Sequence, residues 1–99
     1  MKVYTVTYNR AWDDKEILSV HMTRKGALQV ACEIMLETMI AFDGYEDETL
    51  TWIEDNLYTL HNQDHTLTIE ELDTMFNYAE KLLWEIENEV EIVWHTLQP

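Results

Sequence analysis

Two histidines and a carboxylate stand close together in His61-Asn-Gln-Asp64-His65, the imidazoles four residues apart. Imidazole and carboxylate ligands at that spacing suit zinc or nickel. The segment reads as a loop, however, no HExxH pattern is present, and Cys32, the single thiol, lies far off in the chain. A hydrogen-bonded surface histidine beside Asp64 is the plainer expectation, so no metal is expected. The same stretch echoes the later half of an EF-hand calcium loop, with Asn62, Asp64 and Glu71 at ligand positions. Leu60 would then fill the first position, which needs a carboxylate, and His65 the position that needs glycine. A capping box in Thr68-Ile-Glu-Glu71 accounts for these residues without an ion. Cys32 sits in an apolar stretch of helical spacing and reads as core, not as a nucleophile. No glycine loop able to cradle phosphate occurs. No catalytic residue and no cofactor is expected, and the chain does not read as an enzyme.

Charge is the more informative chemistry. Residues 1–32 carry Lys2, Arg10, Lys15, Arg24 and Lys25 against Asp13, Asp14 and Glu16, a balance of +2. Residues 33–99 carry seventeen acids and one base, Lys81, a balance of −16, within a net charge of −14. Nucleic-acid binders need a basic face to neutralise phosphates, so direct nucleic-acid binding is not expected. Anionic membrane surfaces are excluded for the same reason. A hydrophobic content of 46% supports a packed core and sets the chain apart from acidic disordered segments. The expected partner is basic, and basic partners are often proteins that themselves hold DNA or RNA.

The candidate partner-binding surface comprises Asp43, Glu46, Asp47, Glu48, Glu54, Asp55, Glu70, Asp73 and Glu80, with Trp52 and Trp84 as aromatic anchors. Opposite charges steer encounter, and aromatic side chains slow dissociation and stack on arginine. Trp52 falls off the line of Leu50, Ile53, Leu57 and Leu60, and Trp84 lies among the acids of the last helix; helices covered on more than one side would instead make both of them core. Reversing Glu70, Asp73 and Glu80 to lysine is expected to weaken a partner without unfolding the domain. The competing reading is a solvated acidic face that serves solubility alone.

With the acid-rich stretch Asp43-Gly-Tyr-Glu-Asp-Glu48 and the acids of its last helix, the chain resembles in general character the small acidic proteins that phages use against host defence. These are anti-CRISPR and anti-restriction proteins, several of which imitate DNA. Val3-Tyr-Thr-Val-Thr-Tyr8 followed by Ile17 to Leu28 is similar to the β-β-α opening of many small phage accessory proteins. The resemblance implies a stoichiometric inhibitor of a CRISPR effector or restriction nuclease, acting in the cytoplasm of a bacterial host. It carries over no site residue. Two alternatives stand beside it: a homodimeric structural or accessory protein, and an immunity or antitoxin protein that neutralises a nuclease.

These residues must be positioned by a small fold. Ninety-nine residues make one domain, large enough to bury a core without staples. One cysteine, no signal peptide and no apolar run near eighteen residues fit a soluble protein of a reducing cytoplasm. Lys2 to Tyr8 alternates and predicts a strand; Glu16 to Met22 predicts a second, with Leu18, Val20 and Met22 on one face. Thr23 predicts an N-cap and a helix to about Phe42. Asp43 to Glu48 reads as a loop, and Thr51-Trp-Ile-Glu54 as a capping box that opens a short helix. After a second loop from His61 to Leu67, Thr68 opens a last helix to about Asn88, and Val90 to Leu97 predicts a third strand. The expected fold is α+β: a small, mainly antiparallel three-stranded sheet, order β-β-α-α-α-β along the chain, covered by helices.

Overall fold

A computed structural model describes residues 2–10, 16–42, 44–62 and 67–96. Three strands, β1 (Lys2–Arg10), β2 (Glu16–His21) and β3 (Asn88–Thr96), enclose three helices in sequence: α1 (Arg24–Phe42), α2 (Asp47–His61) and α3 (Ile69–Glu85). The strands form an antiparallel sheet of order β2-β1-β3, so the first strand is central. The expected α+β architecture and element order are observed.

Alternation in β1 decides which face of the sheet the helices cover. Tyr4, Val6 and Tyr8 point to the helices, opposite Trp94, Ile92 and Val90 of β3, and Val6 and Val90 are fully buried. α1 lies on this face. Its buried residues, Ala27, Leu28, Ala31, Cys32, Met35, Leu36 and Met39, wrap much of the helix circumference because α2 and α3 also pack on it. Thr23 caps α1 as expected, its hydroxyl accepting from the Gly26 amide at 3.1 Å. α3 packs on α1 and β3, burying Leu72, Met75, Ala79, Leu82 and Leu83. α2 joins this single core through Ile53 and Leu60.

β1 runs two residues past the expected Tyr8, to Arg10, β3 begins two residues before the expected Val90, at Asn88, and two helix boundaries also differ from the expectation. α2 begins at Asp47, so Thr51 and Glu54 lie inside the helix and form no capping box. Glu46 is the N-cap residue, without a side-chain capping bond, and the helix dipole favours Asp47 and Glu48 in the first turn. No glycine or proline lies between Tyr45 and His61 to delay the start to Thr51. The second matching signature is a true box: the Glu71 amide donates to Thr68 Oγ1 and the Thr68 amide to Glu71 Oε1, each at 3.1 Å. α3 ends at Glu85, three residues earlier than expected, because Glu87 turns the chain with φ of 60° and β3 starts at once.

The other departure lies in β2. Val6 pairs with Ser19 while Thr7 pairs with Ile17, which leaves Leu18 as an extra residue, a bulge. The bulge breaks the two-residue alternation, and Leu18, Val20 and Met22 are all exposed.

Candidate functional site

The acids expected at one surface divide between two places. The first is the outer side of α2. Asp47, Thr51, Glu54, Asp55 and Tyr58 recur at helical spacing and are all exposed, and Glu46 and Glu48 adjoin them at the N-terminus. Apolar Ile53, Leu57 and Leu60 take the inner side, which fixes the acids outward. Among the described residues no basic side chain forms an ion pair with Glu46, Asp47, Glu48, Glu54 or Asp55. At a rise of about 1.5 Å per residue these five carboxylates span roughly 14 Å of axis, as a cluster at Glu46, Asp47 and Glu48 and a pair at Glu54 and Asp55 about 9 Å further along. One DNA strand carries about four charges over the same length. Asp43 lies outside the described residues.

The second place is a cleft of about 610 Å³ beside α3. Tyr4, Leu28, Phe76 and Ile92 line it with apolar surface, and Lys2, Arg24, Asp73, Glu80, Glu91 and Trp94 bring charge and an indole. Asp73 is not a free acid. Its carboxylate accepts two bonds from the Arg24 guanidinium, at 2.6 and 3.1 Å, and clamps the start of α1 to α3. This hydrogen-bonded pairing pushes the Arg24 pKa above its ordinary value. Reversing Asp73 therefore removes a fold contact as well as a surface charge, whereas no ion pair involves Glu70 or Glu80 among the described residues. Lys2 places its ammonium 4.9 Å from the Trp94 ring centroid, within cation–π range. Glu70 is exposed at the start of α3.

The aromatic anchors also divide. Trp84 is 65% exposed, as an anchor must be. Trp52 is half-buried and meets Tyr78 of α3 edge to face, with centroids 4.5 Å apart. It bridges the two helices over a groove of about 510 Å³ that also includes Asn56, Leu67, Glu71 and Met75. The exposed aromatic on the α2 acid stripe is Tyr58, at 72%. It is one helical step from both Glu54 and Asp55, a spacing visible in the sequence but overshadowed by the larger indole. Trp94, also exposed, and the Lys2 contact arise from pairing of the two ends of the chain, which no local pattern reveals.

The metal and nucleophile candidates resolve differently. His61 faces Glu37 of α1, with Nε2 3.7 Å from Oε1, while Asp64 and His65 lie outside the described residues. Among the described residues no three potential ligands gather for a metal. Glu71 is engaged in the capping box, where the calcium pattern placed a ligand. Cys32 is fully buried, with its thiol 3.7 Å from the Leu72 carbonyl, and burial pushes its pKa from 9.0 to about 12. A thiol so placed is protonated and shielded at neutral pH. No described helix is long and apolar enough to cross a membrane. Comparison of the chain with protein-family models, with curated proteins and with solved structures found no match.

Proposed function

We propose that this protein is a stoichiometric inhibitor that docks the acidic face of α2 into the positive groove of a nucleic-acid-binding enzyme of a bacterial cell. The observation that carries this reading is the unpaired carboxylate stripe of Glu46, Asp47, Glu48, Glu54 and Asp55, with Tyr58 exposed among them. Its mean charge per length is close to that of one nucleic-acid strand, so a groove built for phosphates meets a comparable negative charge, gathered in two clusters. Long-range attraction steers the encounter, and Tyr58 offers a rigid face to an arginine of the partner. A CRISPR effector or restriction nuclease carries such a groove; an immunity protein matched to its own nuclease would use the same physics. The target holds its groove open in the absence of nucleic acid and loses nucleic-acid binding when the inhibitor is seated.

Capture of partners from bacterial extract by the tagged protein tests this. Raising ionic strength from about 0.1 M to about 1 M shortens the screening length from about 10 Å to about 3 Å. A nucleic-acid enzyme retained at the lower salt and released at the higher is the expected result. Recovery of the bait alone at both salts would remove the reading and leave the acidity to solubility.

A further inference from the structure

The helices cover one face of the sheet, and among the described residues no second layer lies on the opposite face. It carries Val3, Thr5 and Thr7 of β1, Ile17 and Val20 of β2, and Val93 of β3. The β1 residues are shielded: Val3, Thr5 and Thr7 are all buried, and the Thr5 hydroxyl donates to the Val93 carbonyl at 3.2 Å. The β2 residues have no such shelter. Ile17, Val20 and, just beyond the strand, Met22 are each about 60% exposed.

The two edges of the sheet are chemically unlike. β3 carries Glu89 and Glu91, with Glu87 just before it, and such charge deters strand addition. β2 opens on Glu16 but holds no further acid to His21 and no lysine or proline, and the chain continues to Lys25 and to Arg24, which Asp73 already pairs. In a chain of net charge −14, this is the stretch that a second equally acidic copy can approach.

We propose that β2 joins two copies of this chain, edge to edge and antiparallel about a two-fold axis, into a six-stranded sheet. Ile17 then faces Val20 of the second copy in both directions, on the same side of the sheet. The order becomes β3-β1-β2-β2-β1-β3, with the charged β3 edges outermost and the helices of both copies on one side. The bulge keeps the ladder short, so apolar contact of Ile17, Val20 and Met22 supplies most of the attraction. Since like-charged copies repel, added salt strengthens this contact, while it weakens binding through the α2 acids. Failure here is thereby distinct from failure of the inhibitor reading.

Light scattering of the purified protein, at concentrations up to about 0.5 mM and at low and high salt, tests the proposal. The expected mass rises toward twice 11.8 kDa with concentration, and more readily at high salt. I17K/V20K is expected to weaken association at least tenfold. A monomer at every concentration and salt overturns the proposal, as does a folded I17K/V20K that still dimerises. Hydrogen exchange on the unaltered chain is independent of the variant's folding. Amides from Ile17 to His21 should gain protection with concentration, and no gain there in a dimeric sample also overturns it.

Discussion

Tyr58 and Trp52 lie six residues apart on one helix, and their neighbours assign them opposite work. Trp52 spans the gap to Tyr78, so its truncation acts on the fold; Tyr58 touches solvent, so its truncation acts on the partner. Tyr58→Ala should weaken partner capture about tenfold while leaving the melting temperature unchanged, as expected of an exposed aromatic anchor. A loss of melting temperature equal to that of Trp52→Ala would contradict the assignment. Buried titratable groups make a second claim. Desolvation raises the Cys32 thiol to about 12, and desolvation likewise raises the Tyr45 phenol from 10.0 to about 12, with its hydroxyl donating to the Leu82 carbonyl at 2.8 Å. Both groups are held protonated in the folded chain but ionise from about pH 9 to 10 when unfolded. The folded state then binds more protons, so stability is full below pH 9 and falls as pH rises toward 12. Denaturant midpoints measured from pH 7 to 11 should decline above pH 9, and less steeply in Tyr45→Phe. Arg24 and Asp73 are more than a third exposed, so Asp73→Ala should cost only about 0.5–1 kcal/mol despite the two-point geometry.

Elements were legible where side chains act on their near neighbours. Val3 to Tyr8, the Thr23 cap and the Thr68 box each satisfy a local backbone need, and each appears in the structure where the sequence places it. The pattern at Thr51 and Glu54 is identical in type but falls within a helix already begun at Asp47, since a capping signature has no effect once the preceding residues are helical. Thr68→Ala should therefore cost about 1 kcal/mol. Thr51→Ala should instead gain a few tenths through helix propensity. Equal losses in urea unfolding would place both threonines at caps. Glu87 adopts the left-handed region that favours glycine, and Glu87→Gly should stabilise by about 0.5–1 kcal/mol through relief of that strain. The β2 bulge was not legible: a strand's alternation describes one chain, while a bulge is a mismatch of length between two.

The whole molecule is thin, 49 × 38 × 17 Å in its Cα extents, and among the described residues the helices lie on a single side of one sheet. The charge split in the sequence maps onto this shape in part: β1 and β2 come from residues 1–32, without excess acid, and α2, α3 and β3 from the acidic remainder. The position of the acids along the chain thus assigns most of them to α2, α3 and β3. It did not foretell that Asp73 and Glu80 would line a cleft beside β3 while the acids of α2 stand outside it, because helix faces are set by packing between distant segments. The stripe on α2 is consequently the part of the expected surface on which the inhibitor reading depends. Partner capture at low salt, compared between the unaltered chain and E54K/D55K, tests that dependence most directly. Neither residue is in an ion pair among the described residues, so the variant should remain folded. A loss of capture of at least tenfold, with capture retained in Glu85→Lys outside α2, is the predicted result. Equal capture by E54K/D55K and the unaltered chain would contradict the account.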